Sequence, residues 1–198
     1  PLLPHRFTML GPGMSTGDVN QDGIEDVFLG MGASSGGAEL LFGTNDGRFR
    51  KSNSQPWKSV RADITGSCLF DADGDGDLDL YIALGGAEFS WPSEKYKHKF
   101  FLNNGKGIFS ESSSSIPDII TSSSSVSSAD YDNDGDLDLF ISGRVFPGSY
   151  PTIQIRSYLL KNNSGKFVDA TSEDAPDLTM PGMICEGIFT DYNNDGSP

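Results

Sequence analysis

One acidic nonapeptide recurs along the chain, and its side chains are those whose type and spacing could do chemistry. It reads DVNQDGIED from Asp18 to Asp26, DADGDGDLD from Asp71 to Asp79 and DYDNDGDLD from Asp130 to Asp138; a fourth copy starts at Asp191 as DYNNDGSP. Oxygen-bearing side chains fall at positions 1, 3, 5 and 9: Asp18, Asn20, Asp22 and Asp26; Asp71, Asp73, Asp75 and Asp79; Asp130, Asp132, Asp134 and Asp138. The fourth copy supplies Asp191, Asn193 and Asp195 and no ninth residue. Alternate residues converge on one point only if the backbone curls around it, and the glycine at position 6 permits that turn. Calcium takes six to eight oxygens at about 2.3–2.6 Å. The seventh residue (Ile24, Asp77, Asp136) is expected to offer its backbone carbonyl, and position 9 to close the shell. Without a cation, carboxylates crowded at about 4 Å repel by about 1 kcal/mol per pair in water, and about 4 at an effective dielectric near 20. Solvated acidic turns are the bland alternative for one copy; three complete copies in one register favour metal.

An EF-hand would need an acidic residue at position 12 and flanking helices. Position 12 is Leu29, Ile82 and Ile141, all apolar. The runs after position 9 (Val27–Leu29, Leu80–Leu84, Leu139–Ile141) have no helical period and read as strands. Each loop therefore joins two strands.

The elements around the loops also repeat. First aspartates at 18, 71, 130 and 191 give spacings of 53, 59 and 61 residues. A hairpin signature follows each complete loop: LFGTNDGRF from Leu41, FLNNGKGIF from Phe101 and LLKNNSGKF from Leu159. A proline (Pro4, Pro56, Pro117, Pro176) precedes each loop. Small residues lead into the loops, notably Gly13–Gly17, Gly66–Cys68 and Ser127–Ala129, as a crowded inner strand requires. The serine runs 112–115 and 122–128 are then connector and inner strand rather than a flexible linker. Four strands per period make an all-β chain of β-propeller blades, three complete and part of a fourth. The whole of 1–198 is read as one partial propeller, with repeats at about 5–56, 57–117, 118–176 and 177–198. We expect a fragment of a larger, seven-bladed propeller, or self-association through open blade edges.

The loops followed by an apolar strand and an "LxLNNGxGxF" hairpin resemble the FG-GAP/VCBS repeat, the blade of integrin-α-like propellers and of many secreted bacterial proteins. Gly143–Pro151 and Arg156–Asn162 are most similar to the bacterial ASPIC/UnbV, cartilage-acidic-protein-like group. The resemblance implies calcium at the loop residues named above. Asn20 and Asn193, in place of carboxylates, imply weaker sites, and the fourth site is incomplete.

Composition narrows function further. Of 28 acidic residues, 15 are loop aspartates, so the net charge of −14 belongs to the loops. A basic stripe for nucleic acid is not expected, and no apolar run is long enough to span a membrane. Loops this acidic suit millimolar calcium, hence an extracellular, secreted or cell-surface location. Cys68 and Cys185 are expected as buried thiols rather than a disulfide. His5 and His98 have no repeated partner and are expected at the surface. No nucleophile, zinc or phosphate-loop motif occurs. The variable insertions, Glu88–Lys99 and Arg144–Arg156, carry aromatics suited to recognition, above all the Trp91–Lys99 stretch. The expected function is a non-enzymatic calcium-binding scaffold for a protein or glycan ligand. The alternatives are a segment of a secreted polysaccharide-active enzyme and an integrin-like receptor.

Overall fold

Turn residues and alternating apolar strands divide the computed structural model into three four-stranded antiparallel sheets. It describes residues 11–53, 55–149, 155–196 and 198. The first sheet holds β1 (Met14–Gly17), β2 (Asp26–Gly30), β3 (Ala38–Gly43) and β4 (Phe49–Lys51). The second holds β5 (Asp63–Phe70), β6 (Asp79–Gly85), β7 (Lys99–Leu102) and β8 (Ser110–Glu111). The third holds β9 (Ser122–Ala129), β10 (Asp138–Val145), β11 (Tyr158–Lys161) and β12 (Val168–Asp169). Strands are paired in chain order, each with the next, as in propeller-like blades.

The register repeats with the sequence. The residue after position 9 faces the third strand at the same place in every sheet: Val27 opposite Leu41, Leu80 opposite Phe101, Leu139 opposite Leu160. Glycines with positive φ turn the hairpins, at Gly47 (75°), Gly105 (70°) and Gly165 (82°).

Sheets stack through their faces. β2 alternates, burying Asp26, Phe28 and Gly30 while Val27 and Leu29 stay half-exposed. β6, in the middle sheet, is buried on both faces, so its sequence is a continuous apolar run. Leu80, Ile82 and Leu84 point into a core shared with the first sheet, and Tyr81 and Ala83 into one shared with the third. Trp57, in a short 3₁₀ turn after the proline-marked connector, fills the first core edge-on to Phe28 and Phe101, with ring centroids 5.3 and 5.4 Å away.

The inner strands approach one another closely. A Cβ on Gly13 would meet the Gly66 backbone at 2.7 Å, and one on Gly66 would meet Ser125 Cα at 3.1 Å. Ser15 Oγ donates to Ser67 Oγ at 3.1 Å across the same seam. Glycine and serine are needed there because larger side chains have no room. Ser122–Ala129 is β9, a strand and not a linker. Beyond the third sheet, Ile184 N–H donates to Gly143 O and Ser124 Oγ to Cys185 O, so the following segment runs alongside β9 and β10.

Three expectations need correction. His98 is buried, not at the surface, because the insertion before it folds back over β6. Its Nε2 lies 3.1 Å from Thr121 O, which can only accept, so Nε2 carries the proton and Nδ1 accepts from the Tyr81 hydroxyl at 3.0 Å. Cys185 is exposed rather than buried, since its segment is tied to the third sheet through backbone groups, Ile184 N–H and Cys185 O, while Cys68 is partly buried; both thiols are free. The Trp91–Lys99 stretch turns its aromatics inward: Tyr96 is buried, and Trp91 stacks on Tyr96 and meets Phe146 at 4.9 Å. Tyr96 is thus a core ring, whereas Trp91, though stacked, stays half-exposed. His5, Pro4 and residues 150–154 of the second insertion lie outside the described residues.

Burial pushes the His98 imidazole down to about 4 from its ordinary 6.5. The unfolded chain therefore takes up a proton at a higher pH than the folded one. Stability tied to this group is complete above about pH 6.5 and declines towards pH 4, by up to about 3 kcal/mol. Urea unfolding at pH 7.0 and 4.5 should show His98→Gln losing far less stability on acidification than the native chain. An equal loss in both would contradict the assignment.

Candidate metal centres

The nonapeptide adopts one backbone conformation four times, and its first aspartate fixes it. Asp18 accepts from the N–H groups of Asp22 (3.1 Å) and Gly23 (2.7 Å), and Asp130 from Asp134 (3.1 Å) and Gly135 (3.0 Å). Asp191 repeats this with Asp195 and Gly196, whereas Asp71 accepts from Gly74, one residue earlier, as well as from Gly76. Position 5 turns to its own backbone: Asp22, Asp75 and Asp134 accept from the position-7 N–H at 2.9, 3.0 and 3.0 Å. Asn20 and Asn193 accept from the position-5 N–H. The position-6 glycines have φ of 84, 86, 98 and 94°. Position 4 is left-handed as well, at Gln21 (60°), Gly74 (78°), Asn133 (60°) and Asn194 (59°). Sequence reasoning missed this second turn, although glycine and asparagine at position 4 were a usable signal.

The ninth residue is different in kind. Asp26, Asp79 and Asp138 are at most 1 % exposed. One oxygen of each accepts from the position-2 N–H, of Val19, Ala72 and Tyr131, at 3.1 to 3.2 Å. The other accepts from the start of the hairpin turn, Gly43, Asn103 and Asn162, at 2.7 to 2.8 Å. These donors stabilise the charged form, yet burial outweighs them. It pushes Asp79 up to about 7 and Asp138 up to about 6, and raises Asp26, with neighbouring loop carboxylates adding to the effect. A buried carboxylate among like charges is a group awaiting a cation or a proton.

Carboxylate oxygens of Asp71, Asp73 and Asp79 lie within 4.8 Å of one another, as do those of Asp130, Asp132 and Asp138. Positions 1, 3 and 9 are thus brought together, whereas Asp75 and Asp134 fall outside these sets. In the first loop Asn20 takes the place of the middle carboxylate beside Asp18 and Asp26. The donors are all oxygen, suited to a hard divalent cation and not to zinc or copper. The fit is good: in each set one buried acid meets two more accessible ones, and the oxygens of the buried acid, each accepting one backbone N–H, retain a lone pair. Position-7 side chains face their own hairpins. Ile24 packs against Gly43, Asp77 accepts from Gly105 N–H, and Asp136 accepts from Ser164 N–H at 2.8 Å.

A second pair of functional residues reads in sequence only as turn formers. Asn103 Nδ2 donates to Val19 O in the preceding loop (2.8 Å) and to Leu78 O in its own (3.1 Å). Asn162 Nδ2 does the same with Ala72 O (2.7 Å) and Leu137 O (3.0 Å). Each asparagine therefore clamps position 2 of one loop to position 8 of the next. The first sheet has Gly43 there, where a Cβ would meet Glu25 O at 2.5 Å. Gln21 Nε2 adds a direct link, donating to Gly76 O at 3.1 Å.

Asn162→Ala should cost about 2–3 kcal/mol, since it strips the donor from two carbonyls beside a fully buried side chain. Asn104→Ala, at an exposed turn position in the hairpin of the second sheet, should cost far less. Urea titration measures both; equal costs would remove the clamp from the account. The model for the FG-GAP-like repeat matches residues 18–82 and 89–141, more than half of the chain. No curated protein matches it. Three four-stranded sheets, each joined at the same place by the same acidic loop, agree with that match, and the chain belongs to the FG-GAP-like repeat family.

Proposed function

We propose that the chain is a calcium-stabilised, non-enzymatic propeller scaffold that acts outside the cell in recognition of a protein or glycan. The observation that carries the reading is the buried position-9 aspartate, repeated at Asp26, Asp79 and Asp138 and, at Asp79 and Asp138, grouped with two further carboxylates. A buried carboxylate with no compensating cation weakens a fold; three in equivalent places call for a recurrent ligand. Asp71, Asp73 and Asp79, and Asp130, Asp132 and Asp138, would hold the ion, with Asp18, Asn20 and Asp26 making the weaker first site. Calcium fits better than magnesium because the loops offer many protein oxygens, whereas magnesium keeps most of its own water.

The ion would neutralise the loops and fix the ends of two strands per sheet. The asparagine clamps carry that order to the next sheet. Recognition then falls to surfaces displayed on a rigid frame. The loop carboxylates that could act as acid or base are committed to the backbone and the ion.

Removal of calcium tests this directly. A site filled at about 100 times its dissociation constant adds about 2.7 kcal/mol, so scanning calorimetry should show a large fall in Tm when calcium is replaced by excess EGTA. An unchanged melting curve would refute the proposal. The affinity should also depend on pH with a defined sign. Calcium must displace the proton that burial holds on Asp79 below about pH 7. Binding to that loop should weaken as pH falls through 7, by up to about tenfold per unit, and level off above it. Calorimetric titration in two buffers of different ionisation enthalpy would detect the released proton.

A further inference from the structure

Loops 71–79 and 130–138 carry aspartate at the same five positions, 1, 3, 5, 7 and 9. Any difference in how they hold a cation must come chiefly from what surrounds them. One neighbour differs in charge. The residue before each asparagine clamp is Leu102 in the second sheet and Lys161 in the third. The Lys161 ammonium pairs with Asp132 and lies 3.3 Å from Asp134 Oδ2. Asp132 and Asp134 are positions 3 and 5 of the loop, and Asp132 belongs to the carboxylate set that also contains Asp130 and Asp138. Among the described residues no lysine or arginine pairs with Asp73 or Asp75, their counterparts.

At Asp132 the ammonium and a divalent ion seek the same carboxylate, and Asp134 gives the ammonium a second hold beside it. We propose that Lys161 is an internal competitor for the cation, occupying Asp132 and Asp134 until calcium displaces it, so that loop 130–138 fills at higher calcium than loop 71–79. The inference rests on the calcium reading given above. Displacement is feasible, since the Lys161 side chain is 37 % exposed and its four-carbon stem can swing into water. It is also costly: charge-assisted hydrogen bonds break, and the retained positive charge repels the ion from a few ångströms away. Half-exposed ion pairs are individually weak, so the combined effect is a shift of about tenfold in calcium affinity, about 1.4 kcal/mol. The lysine also gives the third loop a counter-charge of its own. Staged filling follows, with the second loop taking calcium first and the third keeping an ordered shape until calcium is abundant.

Amide NMR resolves the loops, because Gly76 and Gly135 each donate from position 6 to the first aspartate of their own loop. In a calcium titration of the native chain, the Gly135 amide should shift at about tenfold higher calcium than Gly76. Lys161→Leu should bring the two midpoints together, and Leu102→Lys should raise the Gly76 midpoint about tenfold. The second variant keeps the test decisive if the first folds poorly. Gly135 shifting with or before Gly76, or midpoints indifferent to both substitutions, would overturn the competition while leaving the calcium reading intact. If no glycine amide of any loop responds, the calcium reading itself fails and the inference with it.

Discussion

A carboxylate taken out of water at the junction of loop, strand and hairpin is the constraint on which the rest of the structure depends. Asp26, Asp79 and Asp138 each join position 2 of their own loop to the first residue of the hairpin turn, and so tie three segments of one sheet together. Two backbone donors are not enough to hold a buried negative charge against its surroundings. The neighbouring aspartates make the charge worse without a cation and become ligands with one. Loop conformation, strand register and metal chemistry are therefore one problem with one solution.

From each loop the order passes sideways. Asn103 and Asn162 bond carbonyls in two successive loops, and the cores on either side of β6 fill the space beneath them. The bonded amide is fully buried at Asn162 and half-buried at Asn103. At the inner seam, Gly13, Gly66 and Ser125 let three strands approach where any larger residue would separate them. The sheets thus contact each other at polar loops at one end, at apolar faces in the middle and at small residues along the inner edge.

Much of this was legible in the sequence. Positions 1, 3 and 9 of the nonapeptide, the strands after it and the hairpin turns all depend on local rules: turn glycines, period-2 alternation and ligand spacing. What stayed hidden depends on partners distant in sequence. Asn162 reads as a turn residue, because Ala72 lies 90 residues away. His98 reads as polar surface, because Thr121 and Tyr81 become its partners only when the insertion folds back. Trp57 has no counterpart after the other repeated prolines, yet it packs against Phe28, Phe101 and Phe109 in the first core. The position-5 aspartates fit the ligand pattern in sequence, but their geometry favours the backbone. The likeness of Gly143–Pro151 to one bacterial subgroup falls partly on residues outside those described.

Anomalous diffraction from crystals grown in calcium tests the central claim most directly. The account predicts a calcium peak in each of the first three loops, with a carboxylate oxygen of Asp26, Asp79 or Asp138 at about 2.3–2.6 Å. Ordered loops with Asp79 and Asp138 in place and no peak beside them, at saturating calcium, would contradict it.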